Sequence, residues 1–226
     1  MKIGGLQKVS FIDFPGRIAA VIFTQGCPWR CQFCHNPSLV KPELFEKTIP
    51  EAEIWQYLES RKKQLDGVVV SGGEPTLQSD LPDFLRRLRQ LGFAIKLDTN
   101  GVFPDRLEGI LHDKLADYIA MDLKSEWAHY ATVTASDVRT QDIKRSMDLI
   151  RHSGISYEWR TTVVPELPIN PRLIGSYIRS TEKYYLQAFR SSENVNNPAL
   201  KKSPTRDEQS AIIQELTKQG ITAEWR

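Results

Sequence analysis

Cysteine is the scarcest of the chemistry-bearing residues: there are three in 226, all between positions 27 and 34. An odd number spaced so tightly cannot form a disulfide framework in a chain of this size, so cysteine usage points to a metal site and a reducing compartment. No stretch approaches the roughly 20 apolar residues of a spanning helix. The opening MKIGGLQKVSFIDFPG has neither a continuous apolar h-region nor a small-residue cleavage site. A cytoplasmic protein without a membrane partner is expected. An excess of one charge is also missing, since 30 basic and 28 acidic residues are interspersed and leave a formal +2. No field builds up that would favour nucleic acid. Repeats, low-complexity blocks and linkers are absent as well. With 40% hydrophobic residues, the chain can bury one sizeable core but not two well-filled ones, so residues 1–226 are expected to form a single domain.

What the chain does have is a recurrence of apolar runs, each followed by turn residues and then a helical pattern. Six runs read as strands: 18–23 (IAAVIF), 67–72 (GVVVSG), 93–99 (FAIKLDT), 117–123 (DYIAMDL), 157–164 (YEWRTTVV) and 184–189 (YYLQAF). They lack polar alternation, as strands covered by helices do. Helices are predicted over 50–64 with Thr48 as cap, 81–91 ended by Gly92, and 140–153 ended by Gly154. Two more are predicted over 171–181 and 206–218, the latter followed by Gly220 and a last strand, ITAEW. Repeated βα units give an α/β fold with parallel strands, and pattern alone leaves an open doubly wound sheet and a barrel both possible. In either, ligands gather at the carboxyl ends of the strands.

After the first of these strands comes Thr24-Gln25-Gly26-Cys27-Pro28-Trp29-Arg30-Cys31-Gln32-Phe33-Cys34-His35. Three soft ligands on one short loop suit zinc or an iron-sulfur cluster. A closed structural site would need a fourth ligand. There is no fourth cysteine, and the alternative, a Cys3His zinc site completed by His35, makes it hard for two adjacent side chains to reach one tetrahedral ion. One coordination position is therefore left open. Three unconnected core cysteines would sit in an apolar run, which Pro28, Arg30 and Gln32 interrupt.

This CxxxCxxC, with Phe33 as the aromatic before the last cysteine, resembles the signature of the radical S-adenosylmethionine (SAM) superfamily. The resemblance implies a partial (β/α)6 TIM-type barrel, the radical SAM core. It also implies a 4Fe-4S cluster on Cys27, Cys31 and Cys34, whose fourth iron is chelated by S-adenosyl-L-methionine. Three further segments agree with it. Gly72-Gly73-Glu74-Pro75 follows the second strand, where a lone GGEP would read as a turn; in the superfamily it contacts the methionine ammonium. Asp98-Thr99-Asn100-Gly101 and Asp122-Leu123-Lys124 close the third and fourth strands. Alone they read as a turn with side-chain-to-backbone bonds and as a salt-bridged pair.

In this order DTNG and DLK resemble the glycyl-radical-enzyme activating enzymes. That resemblance assigns Asp98 to the methionine ammonium, Asp122 to the neighbourhood of the ribose and Lys124 to the carboxylate. It also allows a monovalent cation held by Asp98, Thr99 and Asp122. Trp159-Arg160-Thr161-Thr162-Val163-Val164-Pro165 resembles the activators' R-x-x-V-V-P. Arg160 is thus a candidate carboxylate clamp, the alternative being a solvated edge-strand arginine. Phe33 and His35 complete the cofactor candidates. Gln187, Phe189 and Arg190 stand where some activators place a histidine, a departure from the pattern. The opening segment 4–16, GGLQKVSFIDFPG, resembles anaerobic ribonucleoside-triphosphate reductase activating proteins.

The implied function is reductive cleavage of S-adenosylmethionine to a 5'-deoxyadenosyl radical, which installs a glycyl radical on a partner enzyme, anaerobic ribonucleotide reductase. A flavodoxin or ferredoxin would be the low-potential electron donor. Two competing readings keep the same cysteines: a small radical SAM enzyme acting on a free metabolite, similar to the deazapurine carboxylate synthases, and a non-catalytic iron-sulfur binding protein.

Overall fold

Val, Ile and Ala dominate β2 (Ala19–Thr24), β3 (Gly67–Gly72), β4 (Ala94–Thr99) and β5 (Tyr118–Asp122), and nearly every one of their apolar side chains is buried. The computed structural model describes residues 1–226. It adds β1 (Ile3–Ser10), β6 (Ser156–Val163), β7 (Tyr184–Ala188) and β8 (Ala223–Trp225). All six predicted strands and the last one are present. β2 pairs in parallel with β3, and β3 with β4, while β6, β7 and β8 are parallel in the same way. The strand order is β1 to β8, following the chain without reversal. That succession belongs to a singly wound (β/α) barrel, because a doubly wound sheet reverses direction at a switch point. The chain is therefore α/β with parallel strands of the partial TIM-barrel type.

β1 was not predicted. It runs antiparallel to β2, and its Gly4-Gly5 and Gln7-Lys8 carry little strand propensity. Packing decides it instead: a Cβ on Gly4 would lie 2.5 Å from Leu39 Cδ2 and 2.6 Å from Gln25 Cγ.

The helices are α1 (Pro37–Val40), α2 (Glu51–Arg61), α3 (Leu81–Gln90), α4 (Pro104–His112), α5 (Tyr130–Thr134), α6 (Thr140–His152), α7 (Pro171–Gly175) and α8 (Arg206–Lys218). On α3, Leu81, Phe84, Leu85 and Leu88 form the buried stripe, each contributing roughly 1.5–3 kcal/mol by leaving water. Gly92 and Gly154 follow α3 and α6 with φ of +86° and +73°, as their punctuation predicts. Two helical expectations need correction. The cap position of α2 is Pro50, without a side-chain cap bond, so Thr48 plays no part there. α7 stops at Gly175 instead of reaching Thr181. A Cβ on Gly175 would meet Leu216 at 2.4 Å, so α7 ends tight against α8. The short helices α4 and α5 were missed: α4 carries Gly109 in its middle, and α5 has only five residues. No helix is long and apolar enough to cross a membrane.

Two compact units interleave along the sequence. The first comprises residues 1–28, 38–120 and 141–156, the second residues 29–37, 121–140 and 157–226. Phe14, Ala19, Val21, Val69 and Tyr118 form a core cluster in the first. In the second, Phe33, Val133, Val164, Phe189, Val195 and Leu200 do so, with Cys31 packed against them.

Candidate functional site

In the first unit the carboxyl ends of β2, β3 and β4 converge. β2 runs into the loop that carries Cys27, and this loop lies against the GGEP segment: Gly73 donates its N–H to Thr24 O at 2.9 Å and Glu74 to Gly26 O at 2.8 Å. Only glycines fit that approach. A Cβ on Gly72 would fall 2.3 Å from Thr24 N, and one on Gly73 2.2 Å from Gly26 O. Gly72 and Gly73 thus bring two backbone segments together, so their sequence signal reflects packing beneath the Cys27 loop.

Glu74 is 1% exposed. Its Oε1 accepts from Thr76 N–H at 3.1 Å, from the Thr76 hydroxyl and from the Thr99 hydroxyl at 2.7 Å, and its Oε2 accepts from Asn100 N–H at 2.7 Å. It therefore ties GGEP to DTNG. Burial pushes its carboxyl above the usual range, against the pull of those donors. The DTNG turn is closed by its own side chains, as the turn reading expects: Thr99 Oγ1 accepts from Gly101 N–H at 3.1 Å, and Asn100 Oδ1 accepts from Val102 N–H at 3.0 Å. Asn100 then points its amide at Cys27, with Nδ2 3.8 Å from Sγ. This contact was missed because asparagine in such a turn already has a sufficient backbone role. Asp98 accepts from the Ser71 hydroxyl at 3.2 Å and pairs with the buried Lys96 ammonium at 3.4 Å.

In the second unit Cys31, Phe33, Cys34 and His35 meet the ends of β5 and β6. Phe33 is 3% exposed and inserts into the core. Lys124 holds its ammonium 5.6 Å from the Phe33 ring centre. His35 is exposed, its Nε2 2.7 Å from Arg190 O and its ring 5.4 Å from Phe189. Asp122 receives Lys124 Nζ on Oδ2 at 2.9 Å and Arg160 Nε on Oδ1 at 2.7 Å. Arg160 is thus neither an edge-strand arginine nor solvated; its side chain is 13% exposed. Burial alone would raise the Asp122 carboxyl, but Arg160 and Lys124 override it and hold it below the usual range. Burial opposes the Lys124 charge, yet Asp122 and Cys31 keep its ammonium above the ordinary lysine value.

Cys31 feels Lys124: burial pushes its thiol up to about 11, while the Lys124 ammonium pulls it down. Tyr130, another residue that sequence reading missed, receives Lys124 N–H on its hydroxyl at 3.1 Å and lies edge-on to Trp29.

None of the three cysteines is in a disulfide, and all are partly exposed. No three His, Cys, Asp or Glu side chains converge on the position of a single metal ion. The cation candidates Asp98, Thr99 and Asp122 are each engaged by the partners given above. Three thiolates without a fourth are a donor set whose chemistry suits an iron-sulfur cluster with one position left for another ligand.

Comparison with known proteins places this arrangement. The family described as the Radical SAM superfamily matches residues 21–171. A Methanocaldococcus jannaschii protein, MJ1227, named for glycyl-radical enzyme activation, is 30% identical over 209 residues, covering 89% of this chain and 85% of its own length. The pyruvate formate-lyase 1-activating enzyme of Escherichia coli K12 is 28% identical over 172 residues, with 73% of this chain and 68% of that one covered. Among solved structures, Streptococcus suis SuiB bound to S-adenosylmethionine superposes with a TM-score of 0.67 at 15% identity, covering 91% of this chain. The native anSMEcpe with bound AdoMet gives 0.61 at 12% identity over 90% of this chain. This chain spans about half of the SuiB chain (49%) and 61% of anSMEcpe. The family's cofactors are a 4Fe-4S cluster and S-adenosylmethionine. The chain belongs to the radical SAM superfamily, in the family that includes the glycyl-radical enzyme activating enzymes.

Proposed function

We propose that this protein is a radical SAM activase that installs a glycyl radical on a partner enzyme. The observation that carries the reading is the Cys27-Cys31-Cys34 spacing on one eight-residue stretch, in a chain similar to MJ1227 over nearly its whole length. Similarity of segment 4–16 to the activating proteins of anaerobic ribonucleoside-triphosphate reductase makes that reductase the proposed partner. A flavodoxin or ferredoxin is the proposed electron donor. All 226 residues serve as one radical SAM domain in this reading.

Cys27, Cys31 and Cys34 would hold three irons of the cluster. When bound and reduced, the cluster supplies one electron to the sulfonium of S-adenosylmethionine, giving methionine and a 5'-deoxyadenosyl radical. The chain's own residues bind and orient. Gly73 and Glu74, through backbone contacts to Thr24 and Gly26, fix the loop that presents Cys27. Asp98 supplies an acceptor for the methionine ammonium. Lys124 and Arg160, both on the carboxylate of Asp122, are the cations proposed to receive the methionine carboxylate. Asp122 keeps both from repelling one another before that carboxylate arrives. The low position of its pKa means that it stays ionised at any working pH.

The test is anaerobic reconstitution with iron and sulfide, reduction, and chromatographic assay of 5'-deoxyadenosine after addition of S-adenosylmethionine. Product is expected from the wild type, and none from Cys27→Ala, Cys31→Ala or Cys34→Ala. Adding the reductase should then give the electron paramagnetic resonance doublet of a glycyl radical. A fully loaded, reduced cluster that yields no product with or without the reductase would overturn the reading.

A further inference from the structure

The stretch from Arg30 to Cys34 forms no helix or strand, so its backbone groups must find partners elsewhere. One bond lies inside the stretch, Cys34 N–H donating to Cys31 O at 3.0 Å, and the others are made in two places outside it. Arg30 N–H donates to Thr134 O at 3.0 Å and Gln32 N–H to Val133 O at 3.2 Å, both at the end of α5. The carbonyls are taken by a pair of residues more than 160 positions away. Asn196 N–H donates to Cys34 O at 2.9 Å, and Asn197 N–H donates to Gln32 O at 2.8 Å. The Asn196 side-chain amide donates to Arg30 O at 2.9 Å and to Cys31 O at 3.0 Å. Asn197 Nδ2 reaches Gln32 Oε1 at 2.9 Å. Val195 and Leu200, either side of the pair, are buried against Phe33, which sits between Cys31 and Cys34 in sequence.

From this we infer that Asn196, assisted by Asn197, is a positioning residue of the cysteine loop: it fixes the backbone at Cys31 and Cys34 so that both thiols stand ready before any cluster is assembled. The inference rests on the reading of these cysteines as cluster ligands, but its geometry does not. One amide bonding two successive carbonyls sets the peptide planes on both sides of Cys31, and hence the direction in which its Cβ and sulfur leave the chain. The third bond, at Cys34 O, acts with the Cys34 N–H to Cys31 O turn bond to set the spacing between the two thiols. Pre-ordering of this kind spares the binding step the entropy of organising a loop. Segment 189–200 makes no contact here that depends on a bound group.

The test measures iodoacetamide alkylation of each cysteine in the full-length apo protein by mass spectrometry. Cys27 is the internal reference, because neither asparagine bonds to it. Asn196→Ala removes both side-chain bonds that flank Cys31 and should speed its alkylation by about tenfold relative to Cys27, with a smaller rise at Cys34, whose bond comes from the backbone N–H of residue 196 and is kept. Asn196→Asp keeps the shape but offers oxygen to two carbonyls, and should do at least as much. Asn197→Ala, which keeps its backbone bond, should have a smaller effect. An equal rise at all three cysteines would mean general loosening and overturn the inference, as would an Asp variant that behaves like wild type or a ratio that does not move. In a second readout, release of the reconstituted cluster to an iron chelator should accelerate in the same order. A wild type that takes up no cluster would sink the proposed function, while the alkylation ratios still decide the role of Asn196.

Discussion

Asn100 holds its side-chain amide 3.8 Å from the Cys27 sulfur, and its own backbone N–H is fixed at 2.7 Å by the buried carboxylate of Glu74. One line of bonds therefore runs from GGEP through DTNG to a cysteine. Glu74 shapes the turn, the turn aims Asn100, and Asn100 addresses the thiol. In the sequence these are three separate motifs; in the fold they form one connected element.

With Cys27 as a cluster ligand, as proposed, the amide beside it should tune the cluster. A donor to a ligating sulfur favours the reduced, more negative form, so its loss makes reduction harder. Asn100→Ala is expected to lower the midpoint potential by on the order of 40 mV, the equivalent of one neutral hydrogen bond in a one-electron couple. A spectroelectrochemical titration checks it, and Asn100→Asp should lower the potential further.

Glu74 should impose a pH dependence on stability. Burial raises its carboxyl above the usual 4.5, so above that pH the folded chain keeps a proton that the unfolded chain has released. Stability is then full below the unfolded value and falls as pH rises through the folded one. Glu74→Gln cannot ionise and should flatten Tm against pH across that window. The variant should also loosen the DTNG turn, since an amide accepts fewer of the donors from Thr76, Thr99 and Asn100. A wild-type Tm that rises with pH there would contradict the assignment.

Strand positions were legible because β2 to β7 are short β-branched and aromatic runs bounded by turn residues, and the local pattern reports burial directly. β1 was not, because its Gly4 is dictated by Leu39 and Gln25, residues distant in sequence. The same division holds at the site. Cys27, Cys31 and Cys34 announce themselves by type and spacing, while Asp98, Asp122, Lys124 and Arg160 are picked out only by the resemblance of their segments to the activators. Tyr130 and Asn196 stand out in neither way, because an aromatic in a five-residue helix and an asparagine in the irregular segment between β7 and α8 have no local signal. Their importance arises only where the chain returns to the cysteine loop. Gly72, Gly73 and Glu74 were visible as a motif, but their service to the Cys27 loop depends on close backbone contact that no spacing reveals.

The glycines offer a paired test of that contact. Gly73→Ala would set a Cβ 2.2 Å from Gly26 O, a backbone atom that cannot swing aside. The variant should lose about 2–3 kcal/mol in urea unfolding, and its Cys27 loop should shift, with weaker cluster retention. Gly109 lies within α4 and a Cβ there meets nothing within 4 Å. Gly109→Ala should therefore gain about 0.5–1 kcal/mol by restricting the unfolded chain. Similar effects at the two positions would refute the packing argument.

Asp122 stands between two cations, and removing it should cost more than removing either. Asp122→Asn leaves the Lys124 ammonium and the Arg160 guanidinium facing a neutral amide while both remain mostly buried. A loss of about 2 kcal/mol is expected, and Lys124→Gln in the same chain should restore part of it by removing the repulsion. The pH dependence runs opposite to that of Glu74. Because its two partners keep Asp122 ionised below the usual carboxylate range, its contribution is complete above the unfolded value near 4 and is lost as pH falls further. Wild type should therefore lose stability below about pH 4 more steeply than Asp122→Asn. Equal slopes would mean that the carboxylate adds nothing to the cationic pair, leaving Lys124 and Arg160 to hold their places by packing alone.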